Sequence, residues 1–218
     1  MTMKKTIFVV GAGKGLGNAV ARRFAENDFR VVLMCRNAKH LADYRKEMQD
    51  AGIEVITRVA DTADQDALAG AIRETMQTCG VPDVLFYNVG ITSADAELSG
   101  GMSTTVMEQR YQVDVLGAYT CIRQVLGGEF SKKQGAILIT GGGLSMYPSA
   151  EYLPLSMDKA ALRAMVLALH PVCREQNVFI GSVQVCNTIG GSEKYMPDKI
   201  ADQFWTLYQN RTDVEIIY

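Results

Sequence analysis

The chain has 218 residues, 48% of them hydrophobic and 21% charged, and its formal net charge is −2. That length suits one well-packed domain spanning 1–218, and the composition is that of an ordinary globular chain without low-complexity tracts. A charge so near zero gives no basic field for a phosphate backbone or an anionic lipid surface, so neither nucleic acid nor membrane is expected as partner and the ligand should be small.

From the N-terminus, MTMKK carries the charges of a secretory leader, but the apolar run behind it meets Gly11 after five residues, so no leader is expected. No run approaches transmembrane length. Short β-branched stretches then alternate with longer ones of helical period. Strands are predicted at 6–10, 30–35, 54–59, 84–87, 136–140, 179–185 and 214–218, and helices at 16–27, 38–51, 64–78, 103–127, 155–175 and 197–209. Strict alternation predicts a doubly wound parallel α/β sheet of about seven strands with helices on both faces. The ligand is then expected beyond the carboxyl ends of the strands, where the winding reverses. Segment 155–169 is apolar nearly all round, interrupted by Ser156, Asp158, Lys159 and Arg163. A helix apolar on every face needs cover on every face, which predicts a homodimer or homotetramer through the fourth and fifth helices. Cys35, Cys79, Cys121, Cys173 and Cys186 are odd in number and include no CxxC, so neither disulfides nor a zinc site is expected and a reducing cytoplasm fits.

Behind the first strand, GAGKGLG places Gly11, Gly13, Gly15 and Gly17 ahead of an amphipathic helix that opens at Leu16. Glycine allows a tight turn and close approach of backbone to a pyrophosphate, and the helix N-terminus offers free N–H groups and a positive dipole end. Glycines alone are weak evidence; a strand before and a helix after predict a dinucleotide site. Where the second strand ends, an acid would accept bonds from the ribose hydroxyls of NAD, but Cys35 and Arg36 stand there. Arg36 and Lys14 can pair with a 2′-phosphate, so NADP is expected over NAD.

These residues resemble the short-chain dehydrogenase/reductase family over essentially the whole chain. The glycine motif matches Gly11, Gly15 and Gly17; the stretch after strand four appears as Tyr87-Asn88-Val89-Gly90; the adenine-contacting acid as Asp61; and the active-site lysine as Lys159 in DKAALRAM. The resemblance implies a Rossmann-type fold that binds its cofactor through Gly11, Gly13, Lys14, Gly15, Leu16, Gly17, Arg36, Asp61, Asn88, Val89, Gly90 and Lys159. The departures cluster at the chemistry. Leu155 stands where the family has its tyrosine, Gly141 at the apparent serine position behind Thr140, Asp114 at the asparagine, and Val185-Cys186 in place of Pro-Gly. The chain is thus similar to an atypical member lacking the tyrosine and the serine.

In the family mechanism a hydride passes between nicotinamide and a carbinol carbon, tyrosine exchanges a proton, and lysine holds the ribose. Leu155 can give no proton, and loss of a positioned acid costs roughly 10²–10⁴ in rate. Hydride transfer belongs to the cofactor, so activity survives if another group supplies the proton. Tyr152, just ahead of the helix that Pro154 opens, is the first candidate and Tyr147 the second; Lys159, Thr140 and Asp114 complete the candidate catalytic set. Two readings stay open. One is an NADP-dependent oxidoreductase with a non-standard proton donor acting on a small carbonyl or hydroxyl substrate. The other is a catalytically inactive NADP(H)-binding sensor or assembly protein. A nucleotide-sugar epimerase or dehydratase would need the tyrosine and a longer substrate region. The stretch NTIGGSEKYMP is short and its glycines predict mobility. His40 and His170 fall on helices away from the strand ends and are read as structural.

Overall fold

The computed structural model describes residues 4–93 and 103–218. Its strands are β1 (Lys5–Val10), β2 (Phe29–Cys35), β3 (Val55–Val59), β4 (Val84–Tyr87), β5 (Ala136–Gly142), β6 (Phe179–Val185) and β7 (Glu215–Ile217). They form one parallel sheet in the order β3-β2-β1-β4-β5-β6-β7. Val10 is in register with Met34 on one side and Tyr87 on the other, so β1, β2 and β4 end level. The sheet is doubly wound, as the alternation predicts, and the winding reverses between β1 and β4.

The helices are α1 (Leu16–Ala25), α2 (Ala38–Asp50), α3 (Gln65–Cys79), α4 (Thr104–Tyr111), α5 (Gly117–Val125), α6 (Gly128–Lys132), α7 (Leu153–Glu175) and α8 (Pro197–Asn210). Because successive strand residues face opposite ways, β1 feeds two cores. Ile7 and Val9 pack with Val20 and Phe24 of α1 and Phe204 of α8, and Phe8 and Val10 with Leu68 of α3, Ile122 of α5 and Leu162 of α7. Burial on both faces is why the central strands read as unbroken apolar runs. Asn37, Asp64 and Ser103 start α2, α3 and α4 by accepting backbone N–H groups of the first turn, Lys39 and His40, Ala67 and Val106 respectively.

Beyond shifted element ends and the added helix α6, the structure departs from the sequence expectation in three places. The predicted helix 103–127 is divided: a π turn, Gln112–Leu116, separates α4 from α5. The hydroxyl of Tyr87 donates to the Val113 carbonyl at 2.6 Å, and Gly117 is bare because a Cβ there would fall 2.5 Å from that hydroxyl. One inserted residue frees carbonyls for such partners. Second, β5 runs through Gly142 instead of stopping at 140. Third, burial within 155–169 does not follow polarity: Leu155, Leu162 and Val166 are buried, but so are polar residues, and some apolar ones are not. Ser156, Asp158 and Lys159 are buried, while Met157 and Leu167 are 49% and 41% exposed, because the polar side chains turn inward behind the strand ends. Tyr152 is the N-cap of α7 and Pro154 lies in its first turn, as expected.

Candidate active site

A crevice of about 810 Å³ opens at the carboxyl ends of the central strands. One wall is the glycine loop with Leu16 and Asn88–Gly90; the other is formed by Thr140, Gly142, Tyr152, Leu155 and Lys159. Gly11 has φ +89°, and a Cβ on it would lie 2.6 Å from the Asn88 carbonyl oxygen; one on Gly17 would lie 2.5 Å from the Gly11 oxygen. These two let the loop seat against β4. Among the described residues nothing lies within 4 Å of a Cβ position on Gly13 or Gly15, so their outer side is open where α1 presents its N-terminus. That bare cradle fits a pyrophosphate. Lys14, Arg36 and Asp61 are exposed and lie outside the crevice lining, and Asp61 Oδ1 accepts the Ala63 N–H at 3.0 Å.

A chain of polar contacts joins the two walls. Asn88 Nδ2 donates to the Gly11 carbonyl (3.1 Å), Thr140 Oγ1 donates to Asn88 Oδ1 (2.9 Å), and Lys159 Nζ donates to the Thr140 carbonyl (2.8 Å). Thr140 is therefore a strut whose hydroxyl is already committed. Lys159 spends one of its three donors on the protein, which leaves two for hydroxyls in the crevice. Burial pushes its amine below the ordinary lysine value, against the pull of Asp114 and Asp158.

Asp114, expected among the catalytic groups, is fully buried and does not line the crevice. Its Oδ1 and Oδ2 face the Ile91 N–H at 3.2 and 3.1 Å. Burial raises its carboxyl, opposed by Lys159, the Ile91 N–H and Arg110. The π turn holds it behind Gly90, one layer from any ligand. Tyr152 is half-buried and Tyr147 is 76% exposed; both reach the crevice. His170 Nδ1 lies 2.8 Å from the Ile180 carbonyl, within the fold. The expected mobile stretch is internally bonded: Gly190 N–H to the Tyr195 carbonyl (2.8 Å), with the Tyr218 hydroxyl donating to the Lys194 carbonyl (2.8 Å).

The serine position also needs correction. A Cβ on Gly141 would lie 2.3 Å from Gln184 Oε1, on the side of the strand away from Lys159, whereas one on Gly142 would sit 3.4 Å from Lys159 Cγ. Strand alternation therefore makes Gly142 the residue whose side chain would share the crevice with Lys159. Three residues escaped the sequence reading: Gly142, Gln184 and Asp158. Gln184 is fully buried and accepts the Gly142 N–H (3.0 Å) and the Ser145 hydroxyl (3.1 Å) while donating to Ser182 Oγ (2.9 Å). The available signal was a polar letter inside an apolar run, in FIGSVQV for Gln184 and LSMDKAAL for Asp158.

A family model for short chain dehydrogenases matches residues 5–193. A protein of Streptomyces violaceoruber assigned as ketoacyl reductase 1 of the granaticin polyketide synthase is 30% identical over 216 residues, which is 94% of this chain and 74% of that one. An uncharacterized oxidoreductase of Thermotoga maritima is 26% identical over 166 residues, 76% of this chain but only 64% of the relative. Among solved structures, an alcohol dehydrogenase of the archaeon Thermococcus sibiricus complexed with 5-hydroxy-NADP superposes with a TM-score of 0.85 at 21% identity, covering 98% of this chain and 95% of that one.

Proposed function

Because the chain belongs to the short-chain dehydrogenase family, we propose that it is an NADP-dependent oxidoreductase acting on a small carbonyl or hydroxyl substrate, with the whole chain serving as one dinucleotide-binding domain. The observation that carries this reading is the crevice itself, with an open glycine cradle on one wall and the buried, spare-donor amine of Lys159 on the other. The Thermococcus neighbour, described with an NADP derivative, supports the cofactor choice. Backbone N–H groups of residues 13–17 hold the pyrophosphate, Arg36 and Lys14 pair with the 2′-phosphate, and Lys159, held by the Thr140 carbonyl, binds the ribose hydroxyls. When bound, NADPH supplies a hydride. Leu155 walls the crevice with hydrocarbon and excludes water, and Tyr152, half-buried in the crevice lining, donates the proton to the substrate oxygen.

No helix among the described residues is long and apolar enough to cross a membrane. All five cysteines are free thiols, which fits a reducing cytoplasm. The same residues also feed the second reading, an inactive NADP(H)-binding sensor or assembly protein, since neither Leu155 nor Gly142 can donate or accept a proton.

Cofactor titration and turnover test both. NADPH is expected to bind at least about tenfold tighter than NADH, with Arg36→Ala erasing the difference, since a charged hydrogen bond is worth about 1.5–3 kcal/mol. Equal affinities overturn the NADP assignment. With a panel of small aldehydes and ketones, Tyr152→Phe is expected to stop NADPH oxidation without changing NADPH affinity. Tight binding with no turnover on any of them selects the sensor reading.

A further inference from the structure

Behind the crevice wall three ionisable side chains converge: Asp114 in the π turn, and Asp158 and Lys159 at consecutive positions of α7, at 0%, 3% and 7% exposure. Consecutive helical residues point about 100° apart, so Lys159 lines the crevice while Asp158 does not. The Lys159 Nζ and Asp114 Oδ2 lie 3.5 and 3.7 Å from the single point where a Cβ on Gly90 would sit. Arg110 of α4, itself buried, is the other charged group acting on Asp158 among the described residues. Asp114 accepts the Ile91 N–H and Lys159 donates to the Thr140 carbonyl, but among the described residues Asp158 Oδ2 is buried with no hydrogen-bond partner. An ionised carboxylate with an orphan oxygen in a buried site is costly, and a proton is the least costly remedy.

We propose that Asp158 is the proton store of this site: its carboxyl takes up a proton from solvent when the crevice fills, and so sets the charge around Lys159 without touching the ligand. The proposal rests on reading the crevice as an NADP(H) site. NADPH brings phosphate charge and displaces water, and both disfavour a second carboxylate beside Asp114. Burial already pushes the Asp158 carboxyl up to about 7, helped by Asp114 and opposed by Lys159 and Arg110. At neutral pH roughly half the unliganded molecules can therefore still accept a proton, so binding takes up to about half a proton, and the affinity falls as pH rises because the bound state holds more protons. When the crevice empties the proton returns to solvent, and no bond other than O–H is made or broken.

Calorimetric titration of the intact protein with NADPH at pH 7, in two buffers of different ionisation enthalpy, reads the proton count. The wild type is expected to take up about 0.3–0.5 proton more than Asp158→Asn. Between pH 6 and 8 its affinity should weaken severalfold relative to the variant. The cofactor's own 2′-phosphate, titrating near ~6, contributes equally to both proteins and cancels. A carboxyl with a merely structural role would change affinity by the same factor at every pH. Should Asp158→Asn fail to fold, carboxyl carbon NMR of the wild type reads the same quantity: an aspartate titrating near neutrality that moves upward when NADPH is added. Equal uptake in the two proteins, or no carboxyl that moves, overturns the proposal and leaves the cofactor reading intact. Absence of NADPH binding overturns both.

Discussion

A methyl group added at Gly141 would meet Gln184 Oε1 at 2.3 Å, and one added at Gly142 would have the Lys159 side chain as its nearest neighbour, at the ordinary contact distance of 3.4 Å. Neighbouring glycines thus predict opposite results. Gly142→Ser with Leu155→Tyr places a hydroxyl and a phenol beside Lys159 and is expected to raise carbonyl reduction by about 10²-fold or more, the lower range for a positioned acid. Gly141→Ser should instead destabilise the fold by about 1–3 kcal/mol through overpacking and a disturbed Gln184, read as a lowered melting temperature without gain of activity. Equal tolerance of the two serines would contradict the strand geometry. Asp158 has a stability signature too. Its carboxyl rises from 3.8 to about 7 on folding, so between these values the folded chain holds a proton that the unfolded chain releases. Stability from this group is full below pH ~4, is lost as pH rises through ~7 and is level above. Asp158→Asn, which has no charge to bury, is expected to gain on the wild type by at most about 4 kcal/mol at pH 8 and by little at pH 4. A pH-independent difference in melting temperature would refute that assignment.

The central strands were legible because they are buried on both faces and read as apolar runs, and the alternation with helices was enough to give a parallel, doubly wound sheet. The π turn was not legible. QVDVL continues the helical pattern of its flanks, and the cause of the break, the Tyr87 hydroxyl on the Val113 carbonyl, comes from a residue 26 positions earlier in the chain. The glycine wall was legible because glycine has a distinctive physical use, and Gly13, Gly15, Gly17 and Gly90 do line the crevice, whereas Lys14, Arg36 and Asp61 lie outside its lining. The opposite wall was not legible, since the roles of Gly142, Gln184 and Asp158 depend on which way a strand or helix residue faces at one register position. An apolar-all-round pattern on α7 concealed a further division: its inward side carries Asp158 and Lys159, and its outward side is a stripe of Met157, Ala160, Ala164, Leu167, Ala168 and Val172 at helical spacing.

At the scale of the molecule, that stripe and the exposed Tyr111, Leu116 and Tyr119 of α4, the π turn and α5 form apolar surface best satisfied by a second copy of the chain. Light scattering at micromolar concentration is expected to give at least twice the 23.9 kDa chain mass, and Leu167→Glu with Tyr119→Glu should return the monomer. A wild-type monomer would mean that these faces remain solvated. The sheet order has a consequence of another kind. Every side chain expected to grip the cofactor, apart from Lys159, comes from residues 11–90, and the second wall comes from residues 140–189; within the crevice the two are stitched through Asn88, Thr140 and Lys159. The chain is therefore divisible along that seam. Substitutions on the far side, Lys159 apart, are expected to delete, move or replace the chemistry while the near side keeps its grip on the dinucleotide, so that in this architecture loss of a reaction need not bring loss of a ligand.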